Sequence, residues 1–153
     1  LNNQLVNGKT GNAGAIGSLP FYNGSTQSQL ITQSSLYLLE RKLNDAGHNG
    51  QHIYESPSHW SCDTRSIEDW LSETARGLAF ATQCAMSLLD LDGVIIDGAI
   101  PDDVKNALVA HTQTAMETLD MRGLAQVHIS EGLVGRKAQS IGSANLALQA
   151  NYY

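Results

Sequence analysis

Several groups of residues in this 153-residue chain have the types and spacing that chemistry uses. His48, His52 and His59 share one stretch with Cys62, and His-x3-His sets two imidazoles one helical turn apart, a spacing that zinc accepts. Gly47 and Gly50 interrupt that stretch, so exposed loop histidines are expected there and no metal site. Asp90-Leu91-Asp92-Gly93-Val94 sets two carboxylates either side of one residue. At the end of a buried strand, one such Asp is phosphorylated and the other moves the proton. Here Met86-Ser87-Leu88-Leu89 continues a helix into the motif, and no later acidic pair follows to hold Mg²⁺. The bland reading, a helix end followed by a turn, is the expected one. Gly8-Lys9-Thr10 matches the tail of a phosphate-binding loop, but Asn3 stands where that loop needs its first glycine. No nucleophile–base pair stands out by spacing, and no catalytic residue is assigned.

Composition narrows the setting of these residues. Hydrophobic residues make up 42% and charged residues 16%, enough for a core but few charges for a free-standing surface. That shortage predicts a face covered by a partner lobe or a second subunit. Nine Lys and Arg against fifteen Asp and Glu leave a net charge of −6, which excludes the basic footprint of a nucleic-acid binder. Cys62 and Cys84 are too few for a disulfide framework and point to a cytoplasmic chain. No apolar run approaches the ~20 residues of a membrane span, and no signal peptide is evident. The chain opens at Leu1 without Met, and is expected to be a fragment of a longer protein.

Periodicity locates the elements that must position the candidates. Residues 1–26, rich in Gly, Asn and Ser, read as loop, with a short strand–turn–strand over Leu1–Val6 and an extended exit at Pro20-Phe21. A helix is expected from about Ser28 to Asp45, with Leu30, Ser34, Tyr37, Leu38 and Arg41 on one stripe, widened by Leu39 and Leu43, and Gly47 as its stop. A polar connection over 47–63 holds a short strand or one helical turn near His52-Ile53-Tyr54. A long helix spans about Ser66 to Leu89, capped by Thr64 or Ser66, with Trp60 and Trp70 in the core or an interface. Its second half, Gly77 to Met86, is apolar or small nearly all round, and so predicts burial on several sides or self-association as a dimer. Gly93–Gly98 reads as a buried strand. A helix over about 102–120 follows, entered through Pro101 with Asp102 and Asp103 in its first turn and closed by Gly123. Gln126–Ser130 is a second strand, which makes a right-handed, parallel β-α-β unit. A final helix, about 135–150, is small enough at Gly135, Ala138, Gly142, Ser143 and Ala144 to lie close to a neighbour.

Three stretches, in order, resemble a known family. Asn12-Ala13-Gly14-Ala15-Ile16-Gly17-Ser18 is similar to the AGExGH segment of ROK proteins (repressor, open reading frame, kinase). Val94-Ile95-Ile96-Asp97-Gly98-Ala99-Ile100 is similar to their VIIGGG[IV] strand–turn, and Gly135–Ala144 to their closing AGxxGAA helix. The resemblance implies one lobe of the actin/hexokinase-like (ribonuclease H-like) ATPase fold, an α/β lobe with a βαβ core and flanking long helices. All of 1–153 would then be the C-terminal lobe, with the N-terminal lobe and any helix-turn-helix domain outside this chain.

The departures shape what the resemblance implies. ROK kinases use the Glu and His of AGExGH on the sugar, and the His also ligates zinc; Ala15 and Ser18 stand at those positions. The zinc cysteines of the family, CxCGxxGCxE, would fall in the stretch Tyr22–Thr32, which holds none. Asp97 stands among the family's glycines at the edge of the nucleotide site, where a carboxylate repels phosphates. The expectation is therefore a non-enzymatic lobe of a ROK-type transcriptional regulator of sugar metabolism, sensing a sugar or sugar derivative and forming a homodimer. It would have no cofactor and no metal, and would reach DNA only through the absent helix-turn-helix. A fragment of a ROK sugar kinase is the alternative, and a haloacid-dehalogenase-type phosphatase a more distant one. Asn12, Gly14, Gly17, Ser18 and Gly98 are the expected ligand-binding residues.

Overall fold

In the computed structural model, which describes residues 8–89 and 91–152, glycine-rich loops lead into an antiparallel hairpin of β1 (Pro20–Asn23) and β2 (Thr26–Gln29). Asn23-Gly24 marks its turn. Gly24 takes a φ of +63°, which supplies the left-handed residue a tight hairpin needs. The sequence predicts Pro20-Phe21 as the extended end of a loop and a helix from Ser28, because β2, Thr26–Gln29, is polar throughout and carries no apolar alternation. Phe21 seats the hairpin on the long helix, meeting Phe80 edge to face at 5.5 Å.

Helix α1 runs over Leu36–Asp45, later than periodicity predicts, because residues 26–29 are strand and Leu30–Thr32 a single tight turn. Ser35 caps it by accepting the Leu38 N–H at 3.3 Å, and Gly47 follows with φ +87°. Its buried face is Leu39 and Leu43; Tyr37 and Arg41 point to solvent, contrary to the expected stripe. Two short helical turns, Gly50–Tyr54 and Pro57–Ser61, fill the connection and bury Ile53 and Trp60. Gly50 donates its N–H to the Asn44 side chain at 2.9 Å, with its Cα side pressed on α1. A Cβ there would run into the Glu40 carbonyl oxygen and lie 2.9 Å from the Glu40 Cα. Gly50→Ala is expected to destabilise the chain by about 1–3 kcal/mol, the scale of overpacking against backbone that cannot rotate away. Chemical denaturation measures it, and a loss under ~0.5 kcal/mol contradicts this packing.

Helix α2 spans Thr64–Leu88. Asp63, not Thr64 or Ser66, is its cap: its carboxylate accepts the Arg65 N–H at 3.1 Å and the Ser66 hydroxyl at 2.6 Å. That hydroxyl, foremost, holds the Asp63 carboxyl below the usual carboxylate range. Strand β3 (Gly93–Ile96) and strand β4 (His128–Glu131) pair in parallel, Val94 opposite Ile129, with helix α3 (Asp102–Glu117) crossing between them. The predicted β-α-β unit is present, but β3 is not fully buried. Ile96 faces the core at 9% exposure, while Ile95 on the opposite face is 72% exposed. A β-branched run signals strand without saying how many of its faces are covered.

Helices α2 and α3 pack on each other more extensively than any other pair of elements. The core between α1, the two turns, α2, α3 and the inner sheet face centres on Trp60 and Trp70, whose rings meet at 5.9 Å and 70°. Ala79 and Ala81, in the half of α2 expected to pair with a second copy, are 1% and 4% exposed within the single chain. The chain covers these two residues itself, while Cys84, Ala85 and Met86 further along the helix are half-buried and Leu88 is exposed. Helix α4 (Ala138–Tyr152) is exposed over 138–148 rather than tucked against a neighbour. The Leu1–Val6 expectation lies outside the described residues, as does Asp90. No helix among the described residues is long and apolar enough to cross a membrane.

Candidate functional site

The loop between Asn12 and Pro20 lies beside the C-terminal end of α2 and borders an open cleft of about 370 Å³. Gly14 takes φ +77°, and a Cβ on Gly17 would press on the Ile31 Cβ at 3.3 Å, so these glycines let the loop turn and sit close to the chain beyond the hairpin. Backbone bonds Ser18 to Ala15 and Leu19 to Ile16 close a single helical turn, and the Leu30 N–H donates to the Leu19 carbonyl at 2.9 Å. Asn12, Gly14, Ala15 and Ser18 line the loop side; Cys84, Ala85, Leu88 and Leu89 line the helix side.

Of the expected ligand-binding residues, Asn12, Gly14 and Ser18 thus share one cleft, with Gly17 inside the loop that builds it. Gly98 does not line it and sits in the turn after β3. Sequence reading passed over Cys84, Ala85, Leu88 and Leu89, whose helical spacing reads as core. The lining is largely apolar, with the Asn12 amide and the Ser18 hydroxyl as its polar side chains and a half-buried free thiol at Cys84. Among the described residues neither a carboxylate nor an imidazole lines it, so the lining residues can hold and orient a ligand by hydrogen bonds and apolar contact.

The turn after β3 has a different chemistry. Asp97 accepts the Gly98 N–H at 2.8 Å, the Val134 N–H at 3.1 Å and the Gly135 N–H at 3.0 Å, with the Lys105 ammonium 3.7 Å away. The Gly135 N–H contributes most to holding the Asp97 carboxyl below the ordinary carboxylate range, and the Gly98 and Val134 bonds add to it. Lys105 is buried in the first turn of α3, and its ion pair with Asp102 at 3.0 Å leads the causes that raise its pKa.

The remaining candidates stay dispersed. The His52 and His59 rings lie 5.1 Å apart, but His59 faces the His52 backbone carbonyl, and Cys62 is an exposed free thiol. No three metal-ligating side chains converge among the described residues. Asp92 precedes β3 rather than ending a strand, which removes the strand context the aspartyl-phosphate motif requires. Gly8-Lys9-Thr10 forms an exposed turn with no strand-to-helix junction after it.

No protein-family model matches the sequence, and no curated protein matches it. Solved structures do match its fold. A ROK family glucokinase from Streptomyces griseus, solved with glucose and AMPPNP, is 19% identical with a TM-score of 0.72 over 97% of this chain and 55% of that one. A ROK family protein from Streptococcus pneumoniae, solved with sucrose, is 18% identical at 0.70 over 96% and 52%. The fold is that of the ROK proteins. A ROK hexokinase from Thermus thermophilus agrees, 16% identical at 0.65 over 96% and 52%. This chain spans about half the length of these ROK structures.

The family resemblance read from the sequence, and the actin/hexokinase-like lobe it implies, are borne out by this fold. The expectation of a non-enzymatic chain is overturned, because the ROK structures that share the fold include a glucokinase and a hexokinase. Ala15 and Ser18 are two side chains in one loop. They change the local chemistry without recording what the rest of a two-lobed protein does, so they could not support that expectation.

Proposed function

We propose that this chain is the sugar-binding lobe of a ROK-type sugar kinase, which moves the terminal phosphoryl group of ATP to a sugar hydroxyl with release of ADP. The observation that carries the reading is the fold, shared over 97% of the chain with a glucokinase solved with glucose and a nucleotide analogue. The cleft at Asn12–Pro20 supports it. A sugar presents an apolar ring face and a rim of hydroxyls, and this cleft offers an apolar wall with an amide and a hydroxyl at its edge. With Ala15 and Ser18 in the AGExGH positions, hydrogen bonds from Asn12, Ser18 and loop backbone would orient the sugar. The catalytic base and phosphate loop would come from the other lobe.

A second reading, the effector lobe of a ROK-type regulator, is favoured by Ala15, Ser18 and the cysteine-free hairpin region 22–32. In that reading, DNA contact and self-association belong to other parts of the protein. One experiment separates the two. The intact protein is assayed for sugar-dependent ADP release and for sugar binding by calorimetry, with glucose, mannose, fructose and sucrose. The kinase reading expects ADP release with at least one of them. It also expects Ser18→Leu, which fills the cleft rim, to weaken that sugar at least about tenfold, the worth of one lost charge-free hydrogen bond plus steric exclusion. Sugar binding without ADP release supports the regulator. No binding of any of these sugars removes both readings.

A further inference from the structure

We propose that helix α4 is an interaction surface, and that its partner is the half of the ROK-type fold that this chain does not span, which receives the helix in an apolar, uncharged groove. Residues 138–152 include no Asp, Glu, Lys, Arg or His, so α4 has none of the charged pairs that support a solvated helix. A lone helix of about this length is marginal in water, and most helical stability in proteins comes from packing. Yet residues 138–148 are all exposed in this chain, with Ile141 at 53%, Leu146 at 51% and Leu148 at 53%. The main contacts of α4 are with Gly135–Lys137, the turn that leads into it.

Two observations choose this partner over a second copy of the chain. The ROK structures match 96% to 97% of this chain, leaving a remainder too short to contain α4, while the chain spans only 52% to 55% of them. Helix α4 therefore belongs to a fold about twice this size. The second observation is where the apolar side chains lie. At about 100° per residue, Ile141 and Leu148 share one side of α4 and Leu146 lies nearly opposite. A two-fold contact with a second copy covers one stripe of a helix and leaves the other side wet. Cover on opposite sides needs a groove built from several elements, which a lobe supplies. The docking requires neither a sugar nor phosphoryl transfer, so it stands or falls separately from the sugar reading.

The test is hydrogen–deuterium exchange of the intact protein, read by mass spectrometry on peptides from residues 138–152. Their amides are expected to exchange at least about a hundredfold more slowly than in the same segment as a free peptide, and equally slowly at about 1 μM and about 50 μM protein. Ile141→Asp and Leu146→Asp are each expected to speed exchange at least about tenfold over 138–152 and over at least one segment outside residues 1–153, because a carboxylate in an apolar groove undoes the docking from both sides. Where a variant fails to fold, the exchange of the parent decides. Exchange of the parent at the free-peptide rate overturns the proposal. Protection that appears only at the higher concentration assigns α4 to a second copy and overturns it too, as does loosening in the variants that stops at residue 153.

Discussion

Trp70→Ala is expected to cost the fold about 3–5 kcal/mol, the range for truncating a large aromatic side chain in a closed core. Trp70 is 2% exposed and does two jobs at once. Its ring packs edge to face on Trp60, which ties α2 to the turn Pro57–Ser61. Its indole N–H donates to the Ser35 carbonyl at 3.0 Å, at the cap of α1. Alanine removes the ring contact, opens a cavity among α1, α2 and the connecting turns, and leaves the Ser35 carbonyl without this donor. Trp70→Phe separates the contributions. It keeps most of the packing and loses the hydrogen bond, and should cost about 1–3 kcal/mol. Urea unfolding of the three proteins gives both numbers. A loss below ~1 kcal/mol for Trp70→Ala would show that the two tryptophans are not the centre of this core.

The second large effect concerns the apolar half of α2. Ala81→Glu places a carboxylate on a residue that is 4% exposed and covered by its own chain. Ala79, two residues earlier and nearly on the opposite face of the helix, is 1% exposed, and Gly77, one turn before Ala81, lies so close to Ser34 and Leu30 that a Cβ there would crowd both side chains. An unpaired buried carboxylate costs several kcal/mol in order of magnitude. The variant should therefore unfold or lose most of its stability at any protein concentration. Circular dichroism at low and high micromolar concentration, with sedimentation alongside, checks it. A variant that stays as stable as the parent while only its oligomeric state changes would mean that Ala81 faces a second copy.

These two residues also show where sequence reading reached its limit. Periodicity placed α2 within two residues of its start and marked Trp70 as core or interface, because a 3.6-residue apolar repeat is a local property. The same periodicity could not say what covers Gly77 to Met86. That depends on the β1–β2 hairpin reaching α2 through Phe21 and Phe80, residues far apart in sequence. The turn of the hairpin is marked by Gly24 between the paired Asn23 and Thr26, but β2 is polar throughout and shows no strand alternation. The parallel β-α-β unit was legible from strand, helix and strand in sequence, since the crossover rule leaves little choice. The burial of β3 was not, because Ile95 and Ile96 look alike in sequence and differ only in which face the helices cover.

The sequence by itself determined the order of elements, their approximate limits, the ROK-like motifs and, through them, the fold. These follow from residue type and short spacing, which act within a few residues. Tertiary structure alone decided which candidates lie together. It joined Asn12, Gly14 and Ser18 to the end of α2 in one cleft, left Gly98 outside it, and bonded Asp97 to the backbone of the loop after β4. The hydrogen bond between Asp97 and Gly135, and the cleft that Ser18 and Leu88 both line, bring together residues dozens of positions apart. Such contacts carry no periodic trace; they exist only once the chain has closed on itself and burial has chosen the partners.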